Sequence, residues 1–226
     1  MLQLVIGNKN YSSWSMRPWV LMKERGIAFE ERKLRFDFTE GSAFRQAVAQ
    51  VSPAGLVPVL LDGDVAVWDS LAIAEYLHEA FPGAGVWPAD RARRARARSI
   101  CAEMHAGFGA LRSHCPMNIE ASMPEVGARV WAEQAAVRAN VARIEAIWAD
   151  ALKAHGGPFL FGEFSAADAY YAPVCMRLLG YALPVSALSQ AYVARVAATP
   201  SVAAWMQGAR AEQDFLDFDE PYRKHR

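Results

Sequence analysis

The chain has 226 residues, and its 24 basic and 24 acidic side chains give a formal net charge of zero. A nucleic-acid-binding protein usually has a clear basic excess, so this balance argues against that class and no nucleic-acid partner is expected. Hydrophobic residues make up 53% of the sequence, which is enough to bury a sizeable core in one large or two small domains.

Three features of the sequence predict a cytoplasmic protein. No apolar run is long enough to span a bilayer, so no membrane partner is expected. The first residues lack the basic start and the cleavage site of a signal peptide. The cysteines Cys101, Cys115 and Cys175 are odd in number and form no metal-ligand pattern, so we expect a reduced setting and no metal.

The first eighty residues predict an alternation of strands and helices. Strands are predicted over residues 2–6, 29–34, 57–61 and 65–68. Helices are predicted over residues 15–25, 44–51 and 70–81. Pro18 falls in the first turn of the first helix, and Gly26 follows its end. The order β-α-β-α-β-β-α predicts a thioredoxin-like α/β domain over residues 1–80.

The rest of the chain predicts an all-helical domain over residues 91–226, after a linker at residues 81–90 that prolines and glycines interrupt. One long helix is predicted from the spacing of Ile100, Met104, Phe108 and Leu111. A second is predicted from Val130, Val137, Val141, Ile144, Trp148 and Leu152. Ser165 and Asp168 form a predicted capping box. The tail from Phe215 onward either folds over the domain junction or is loose.

Serine hydroxyls gather where the first helix begins. Ser12, Ser13 and Ser15 lie near its first N–H groups, which are unpaired and carry partial positive charge. Such a position, together with a hydroxyl that donates to sulfur, stabilises a thiolate. The alternative is that one of these serines is only an N-cap, a role that serine commonly has.

A second motif joins Val57-Pro58 to Asp69-Ser70. If the Val57–Pro58 bond is cis, the Val57 backbone can pair with an extended peptide like a strand edge. A trans proline at a strand start is the alternative. Ser70 at a helix N-terminus could bind a carboxylate and Asp69 an ammonium, unless the pair is a plain cap. With the serine motif, these residues predict a site for a small peptide-like anion that carries a thiol.

The motifs together resemble the glutathione S-transferase family. The run from Ser12 to Arg17, Ser-Ser-Trp-Ser-Met-Arg, is similar to the zeta-class pattern Ser-Ser-Cys-x-x-Arg, with Trp14 in place of the cysteine. The tau and phi classes also have a serine five positions before the arginine, and that position is Ser12. Residues 162–168, followed by Ala-Pro-Val at 172–174, are similar to the helix-capping signature of the family.

The resemblance implies a thioredoxin-like domain followed by an all-helical domain, with glutathione as the co-substrate. It implies that Ser12 contacts the glutathione sulfur, with Ser13 as the next catalytic candidate, and that Pro58 is cis. The implied glutathione-binding residues are Ser12, Trp14, Arg17, Val57, Pro58, Asp69 and Ser70. Since no cysteine lies at the head of the first helix, reductions that need a protein thiol there are not expected.

A pocket for the second substrate is expected between the two domains. Its predicted lining is Trp14, Met104, His105, Phe108 and Leu111, with Tyr170 and the Phe215 tail as weaker candidates. Apolar residues at helical spacing are more often core residues, and among these only Trp14 is favoured as a lining residue. His105 is either a general acid for the acceptor or a structural histidine.

We therefore expect a glutathione transferase that conjugates the glutathione thiolate to a small, mostly apolar electrophile, as in detoxification. One alternative is a different glutathione-dependent reaction, such as isomerisation, ether cleavage or peroxide reduction. The other is a non-catalytic binding or regulatory protein of the same fold. The resemblance also implies a homodimer, and the basic run at residues 91–98 fits a solvated or dimer-facing helix.

Overall fold

The computed structural model describes residues 1–226, and its N-terminal part contains one four-stranded sheet. The strands are β1 (Gln3–Ile6), β2 (Glu30–Lys33), β3 (Val59–Asp62) and β4 (Val65–Val67). Their order in the sheet is β2-β1-β3-β4, where β1 is parallel to β2 and antiparallel to β3 and where β3 is antiparallel to β4. The helices of this part are α1 (Ser13–Glu24), α2 (Ala43–Ala49) and α3 (Ser70–Ala80). This arrangement confirms the predicted thioredoxin-like class.

Helices alone make up the C-terminal part, as predicted. They are α4 (Arg91–Ala106), α5 (Gly109–His114), α6 (Pro124–Glu133), α7 (Ala135–His155), α8 (Ala166–Gly180), α9 (Ala187–Ala197) and α10 (Pro200–Glu212). Helix α8 is central, because it is buried from Ala166 to Leu178 and packs against α1, α4 and α9. None of the helices combines the length and the apolar character needed to cross a membrane.

The predicted long helix through Ile100 and Leu111 is in fact two helices. Helix α4 ends at Ala106, and Phe108 has a left-handed backbone with φ of 57°. Gly107 makes the close turn possible, since a Cβ there would lie 2.6 Å from the Glu103 carbonyl oxygen. Leu111 therefore belongs to α5, and the apolar spacing continued across a break that the periodicity did not reveal.

The second predicted long helix is also divided. Val130 lies in α6, and α7 starts at Ala135 after Gln134, which has non-helical φ and ψ angles. The Arg138 guanidinium donates to the carbonyl oxygens of Trp131 and Ala132, which satisfies acceptors at the end of α6. Both helices bury apolar residues, so the sequence pattern alone indicated one helix.

Helix α1 begins two residues earlier than predicted. Ser12 is the N-cap and Ser13 the first helical residue, so Pro18 lies in the second turn and not in the first. The loop before α1 returns from β1, where the Ser12 N–H donates to the carbonyl oxygen of Asn8 at 2.8 Å. This loop holds the two serines at the end of the sheet.

The tail folds over the domain junction, which was one of its two predicted placements. Leu216 is buried in a small apolar cluster with Tyr11 and Phe36. Glu220 accepts hydrogen bonds from Tyr11 Oη at 2.7 Å and from Asn118 Nδ2 at 2.8 Å. The tail thus ties the N-terminal loop to the helical domain.

Candidate functional site

The hydroxyls at the head of α1 have distinct hydrogen-bond partners. Ser12 Oγ accepts the Ser15 N–H at 3.3 Å and donates to Ser15 Oγ at 2.7 Å. Ser13 Oγ accepts from Arg177 Nη2 at 3.4 Å and has no acceptor for its own proton. Both serines line a cleft, next to helix N–H groups that favour an anion. The sequence prediction of hydroxyls at a helix N-terminus is therefore confirmed, and their catalytic role stays a prediction.

The Val57–Pro58 peptide bond is cis, as the resemblance implied. Val57 lies before β3, at the wall of the cleft. Neither its N–H nor its carbonyl oxygen forms a hydrogen bond within the chain. An extended ligand could therefore pair with this residue as a strand pairs with a sheet edge.

Asp69 and Ser70 lie at the N-terminus of α3, as predicted. Asp69 is the N-cap, and its Oδ1 accepts the Leu71 N–H at 3.0 Å. The Trp68–Asp69 peptide bond is also cis. Ser70 is the first helical residue, and its Oγ accepts from Tyr170 Oη at 3.3 Å. The second oxygen of Asp69, Oδ2, lies 3.0 Å from Nε2 of His105.

Two adjoining cavities form the cleft between these helix ends. One, of about 240 Å³, is lined by Val57, Pro58, Asp69 and Ser70. The other, of about 310 Å³, is lined on one side by the two serines and on the others by Phe36, Phe38, Phe44, Arg112, Met117, Arg177 and Asp219. Trp14, Leu56 and Val57 line both cavities, so a single ligand could extend from one into the other.

His105 contacts the Asp69 end of the cleft. Its Nε2 lies 3.0 Å from Asp69 Oδ2, and its ring packs edge-on against Trp14 with a centroid distance of 5.0 Å. It does not line the larger cavity, where an acceptor substrate would lie. This position supports a role in holding Asp69 more than a role as an acid for the acceptor.

Arg17 is buried behind the cleft wall and lines neither cavity. Its guanidinium lies over the rings of Trp14, at 4.1 Å, and Tyr170, at 4.8 Å. Burial lowers the pKa of Arg17 to about 10. The geometry thus places Arg17 beneath Trp14, where it contributes positive potential without forming the surface of the site.

Three residues predicted to line the acceptor pocket lie in the hydrophobic core instead. Met104 and Leu111 have no exposed surface, and Phe108 is 7% exposed. None of them lines either cavity, and all three belong to the main hydrophobic core. Tyr170 is buried as well. We therefore leave all four residues out of the acceptor pocket proposed below.

Sequence reasoning missed the aromatic and arginine walls of the larger cavity. Phe36 and Phe38 come from the segment that leads into α2 and Phe44 from α2 itself, and this stretch carries no motif. Arg177 could have been identified from the sequence. Besides the capping Asp168, it is the one charged residue in α8, a helix that is otherwise apolar or aromatic. A charge in such a helix marks either a buried ion pair or a site.

The chain's own thiols lie outside the cleft. All three cysteines are buried, and burial raises the pKa of Cys115 to about 12 and the pKa values of Cys101 and Cys175 well above the usual range. The structure contains no group of three or more His, Cys, Asp or Glu residues arranged to hold a metal ion.

Comparison with family models identifies both parts of the chain. Residues 11–80 match the glutathione S-transferase N-terminal domain, and residues 128–208 match the glutathione S-transferase C-terminal domain. A solved structure of a glutathione transferase homolog from Burkholderia, with bound glutathione, is similar with a TM-score of 0.69 and 27% identity. The alignment covers 93% of this chain and 98% of that one.

Two curated proteins are similar to this chain over segments of different length. Glutathione S-transferase 1 of Dianthus caryophyllus is 27% identical over 178 residues, which are 77% of each chain. Dichloromethane dehalogenase of Methylorubrum extorquens is 44% identical over 68 residues, which are 29% of this chain and 23% of that protein. The second match spans less than a quarter of the dehalogenase.

Proposed function

Because the chain belongs to the glutathione S-transferase family, we propose that it binds glutathione in the cleft between α1 and α3 and conjugates the thiolate to a small electrophile. The observation that carries this proposal is the convergence of two helix N-termini on one cleft, with Ser12 and Ser13 at the first and Asp69 and Ser70 at the second.

The smaller cavity suits the γ-glutamyl end of glutathione. That group carries an ammonium and a carboxylate on one carbon. Asp69 Oδ2 offers a negative charge for the ammonium, and Ser70 with the α3 N-terminus offers donors for the carboxylate. Val57, with its unpaired N–H and carbonyl, is the partner for the cysteinyl backbone.

The thiol would then lie near Ser12 and Ser13, at the junction of the two cavities. Ser12 is favoured by its place five residues before Arg17 in the family pattern, and Ser13 by its free hydroxyl proton. A hydroxyl donor, helix N–H groups and nearby guanidinium groups all stabilise the anion, so the thiol loses its proton at lower pH. The sulfur is the nucleophile, in agreement with the burial of every cysteine of the chain.

The electrophile would enter the larger cavity, against its phenylalanine wall. The thiolate attacks an electrophilic carbon, a carbon–sulfur bond forms, and a leaving group such as halide departs with the bonding electrons. The proton of the thiol is released to solvent. The matched segment of a protein named dichloromethane dehalogenase supports displacement of this kind.

We further propose a cytoplasmic homodimer with a role in detoxification. The dimer is supported by the family relationship and by exposed apolar side chains near the cleft, including Trp68, Leu56 and Phe38. Light scattering after size-exclusion chromatography tests it, and a mass of about 25 kDa, near that of one chain, would contradict it.

The direct test combines binding and turnover. We expect glutathione and S-hexylglutathione to bind in calorimetric titrations, with the hexyl form tighter because its chain fills the phenylalanine-lined cavity. We expect chloronitrobenzene probes to consume glutathione and to release one chloride for each conjugate formed. Binding without turnover of these probes would favour a different glutathione-dependent reaction or a non-catalytic protein.

A further inference from the structure

The larger cavity contains buried positive charge that no acidic side chain neutralises. We propose that Arg177 and Arg112 bind a carboxylate of the second substrate, so that this cavity selects anionic electrophiles over neutral ones. The inference rests on the proposed function and names the substrate class of the same site. It departs from the mostly apolar acceptor that the sequence predicted.

Arg177 is buried in the wall of the larger cavity. It lines the cavity and is 5% exposed, and its only partners are the Pro173 carbonyl oxygen at 3.2 Å and Ser13 Oγ at 3.4 Å. Its Nε has no partner at all. Both partners are neutral, so the guanidinium keeps a full uncompensated charge beside the serines.

Two more arginines, Arg112 and Arg17, lie against Trp14 at the wall of this cavity. Arg112 lines the cavity, donates to the His105 carbonyl oxygen at 3.3 Å and lies over Trp14 at 5.6 Å. Arg17 lies over the same Trp14 ring at 4.1 Å and has two nitrogen atoms, Nε and Nη1, without partners. None of the three arginines forms an ion pair with any Asp or Glu of the chain.

The charges of these arginines repel one another. Burial, followed by the neighbouring charges of Arg17 and Arg112, lowers the pKa of Arg177 to about 10, so it stays protonated at neutral pH. A buried cation without a counter-ion destabilises a folded chain. The planar fork of a guanidinium matches a carboxylate in two parallel hydrogen bonds, and a bound carboxylate would supply the missing charge.

The one acidic side chain in the cavity does not fill this role. Asp219 of the tail lines the cavity but forms no ion pair with an arginine. Burial and the nearby Glu220 raise the pKa of Asp219 to about 6, and no arginine contributes to that shift. Asp219 is therefore influenced by Glu220 and not by the arginines, which remain free to bind a carboxylate of the substrate.

Glutathione itself also carries carboxylates, and its position makes it the competing occupant. The γ-glutamyl carboxylate is assigned to Ser70 in the smaller cavity, which neither Arg112 nor Arg177 lines. The glycyl carboxylate of glutathione therefore competes with the carboxylate of the second substrate as the ligand of the arginines. An experiment must therefore separate the affinity for glutathione from the preference for an anionic acceptor.

The test compares 4-chloro-3-nitrobenzoate with its methyl ester, each as kcat/KM divided by the uncatalysed rate constant. We expect the wild-type protein to favour the benzoate, and we expect Arg177→Gln and Arg112→Gln each to lower that preference about 10- to 100-fold. Any loss of thiolate stabilisation lowers the rates of both probes alike and cancels in their ratio, and the calorimetric Kd for glutathione should change by no more than about twofold. Arg91→Gln, on the exposed face of α4, is the matched control and should behave as wild type.

Three outcomes overturn the inference. If the wild-type protein does not favour the benzoate over its ester, the cavity does not select anionic electrophiles. If the folded variants keep the wild-type preference, the arginines do not bind the carboxylate of the substrate. A weaker Kd for glutathione in the variants with an unchanged preference would assign the arginines to the glycyl carboxylate. If neither probe is conjugated, the proposed function fails. The inference is then tested alone by comparing the affinities of benzoate and benzamide for the wild-type and Arg112→Gln proteins, and it is overturned if the wild-type protein does not bind benzoate more tightly or if the variant keeps that difference. Arg112 is only half-buried, so its variant should fold even if Arg177→Gln does not.

Discussion

His105 Nε2 lies 3.0 Å from Asp69 Oδ2, and this contact joins the end of α4 to the N-cap of α3 across the domain junction. The other oxygen of Asp69 caps α3 through the Leu71 N–H. The carboxylate is therefore fixed at both oxygens, at the point where the ammonium of glutathione is proposed to bind. The helical domain thus orients a binding residue of the thioredoxin-like domain.

Asp69→Asn should weaken glutathione binding about 5- to 50-fold, because it removes the charge that pairs with the ammonium and retains a capping oxygen. The same variant should lose the preference for glutathione over its analogue without the amino group. Calorimetric titration measures both affinities. Asp64→Asn, in the exposed turn before β4, is the matched control. An undiminished preference for glutathione in Asp69→Asn would remove Asp69 from the site.

His105→Leu should raise the KM for glutathione about three- to tenfold while kcat stays close to wild type, since the histidine positions Asp69 without touching the acceptor. His105→Gln retains an N–H donor and should restore most of the loss. His225→Leu, in the exposed tail, is the control. A fall in kcat together with loss of one limb of the pH–rate profile would instead identify His105 as a general acid.

Ser12→Ala should lower kcat/KM about tenfold or more below neutral pH and should raise the pKa of the bound thiol, because a donor to the sulfur is lost. Ser12→Thr keeps a hydroxyl and should recover activity. Loss of the α1 N-cap alone would cost about 1 kcal/mol of unfolding free energy and leave the thiol pKa unchanged. If Ser13→Ala raises that pKa and Ser12→Ala does not, the catalytic role belongs to Ser13.

Asp168 makes the predicted capping box part of a larger buried network. Its carboxylate accepts from the N–H groups of Leu160 and Ser165, from Ser165 Oγ and from Tyr192 Oη, at distances between 2.9 and 3.2 Å. Asp168→Ala should therefore lower the free energy of unfolding by about 3 kcal/mol or more, because buried donors lose their acceptor. Urea denaturation measures this loss, with Asp150→Ala on the surface of α7 as control. A loss below about 1 kcal/mol would contradict the account.

The sequence predicted what local patterns encode. The order of strands and helices along the first eighty residues, the serine cap of α1, the Asp69 cap of α3 and the Ser165–Asp168 box all depend on residues that lie close together in the chain. The breaks at Gly107 and Gln134 do not interrupt the apolar spacing, so the periodicity predicted one continuous helix across each of them.

The walls of the acceptor cavity could not be predicted from the sequence, because they are assembled from segments that lie far apart in the chain. Phe36, Arg112 and Arg177 come from three distant segments and carry no shared motif. Met104 and Leu111 have a helical spacing that a pocket wall and a core share, and in the structure both side chains are fully buried in the core.

The pKa of the glutathione thiol in its complex with the wild-type protein tests the central claim most directly. It can be measured by pH titration of the ultraviolet absorbance of the thiolate. The account predicts saturable binding and a pKa at least about one unit below the ordinary thiol value near 8.5. Binding with an unshifted thiol pKa, or no binding, would contradict it.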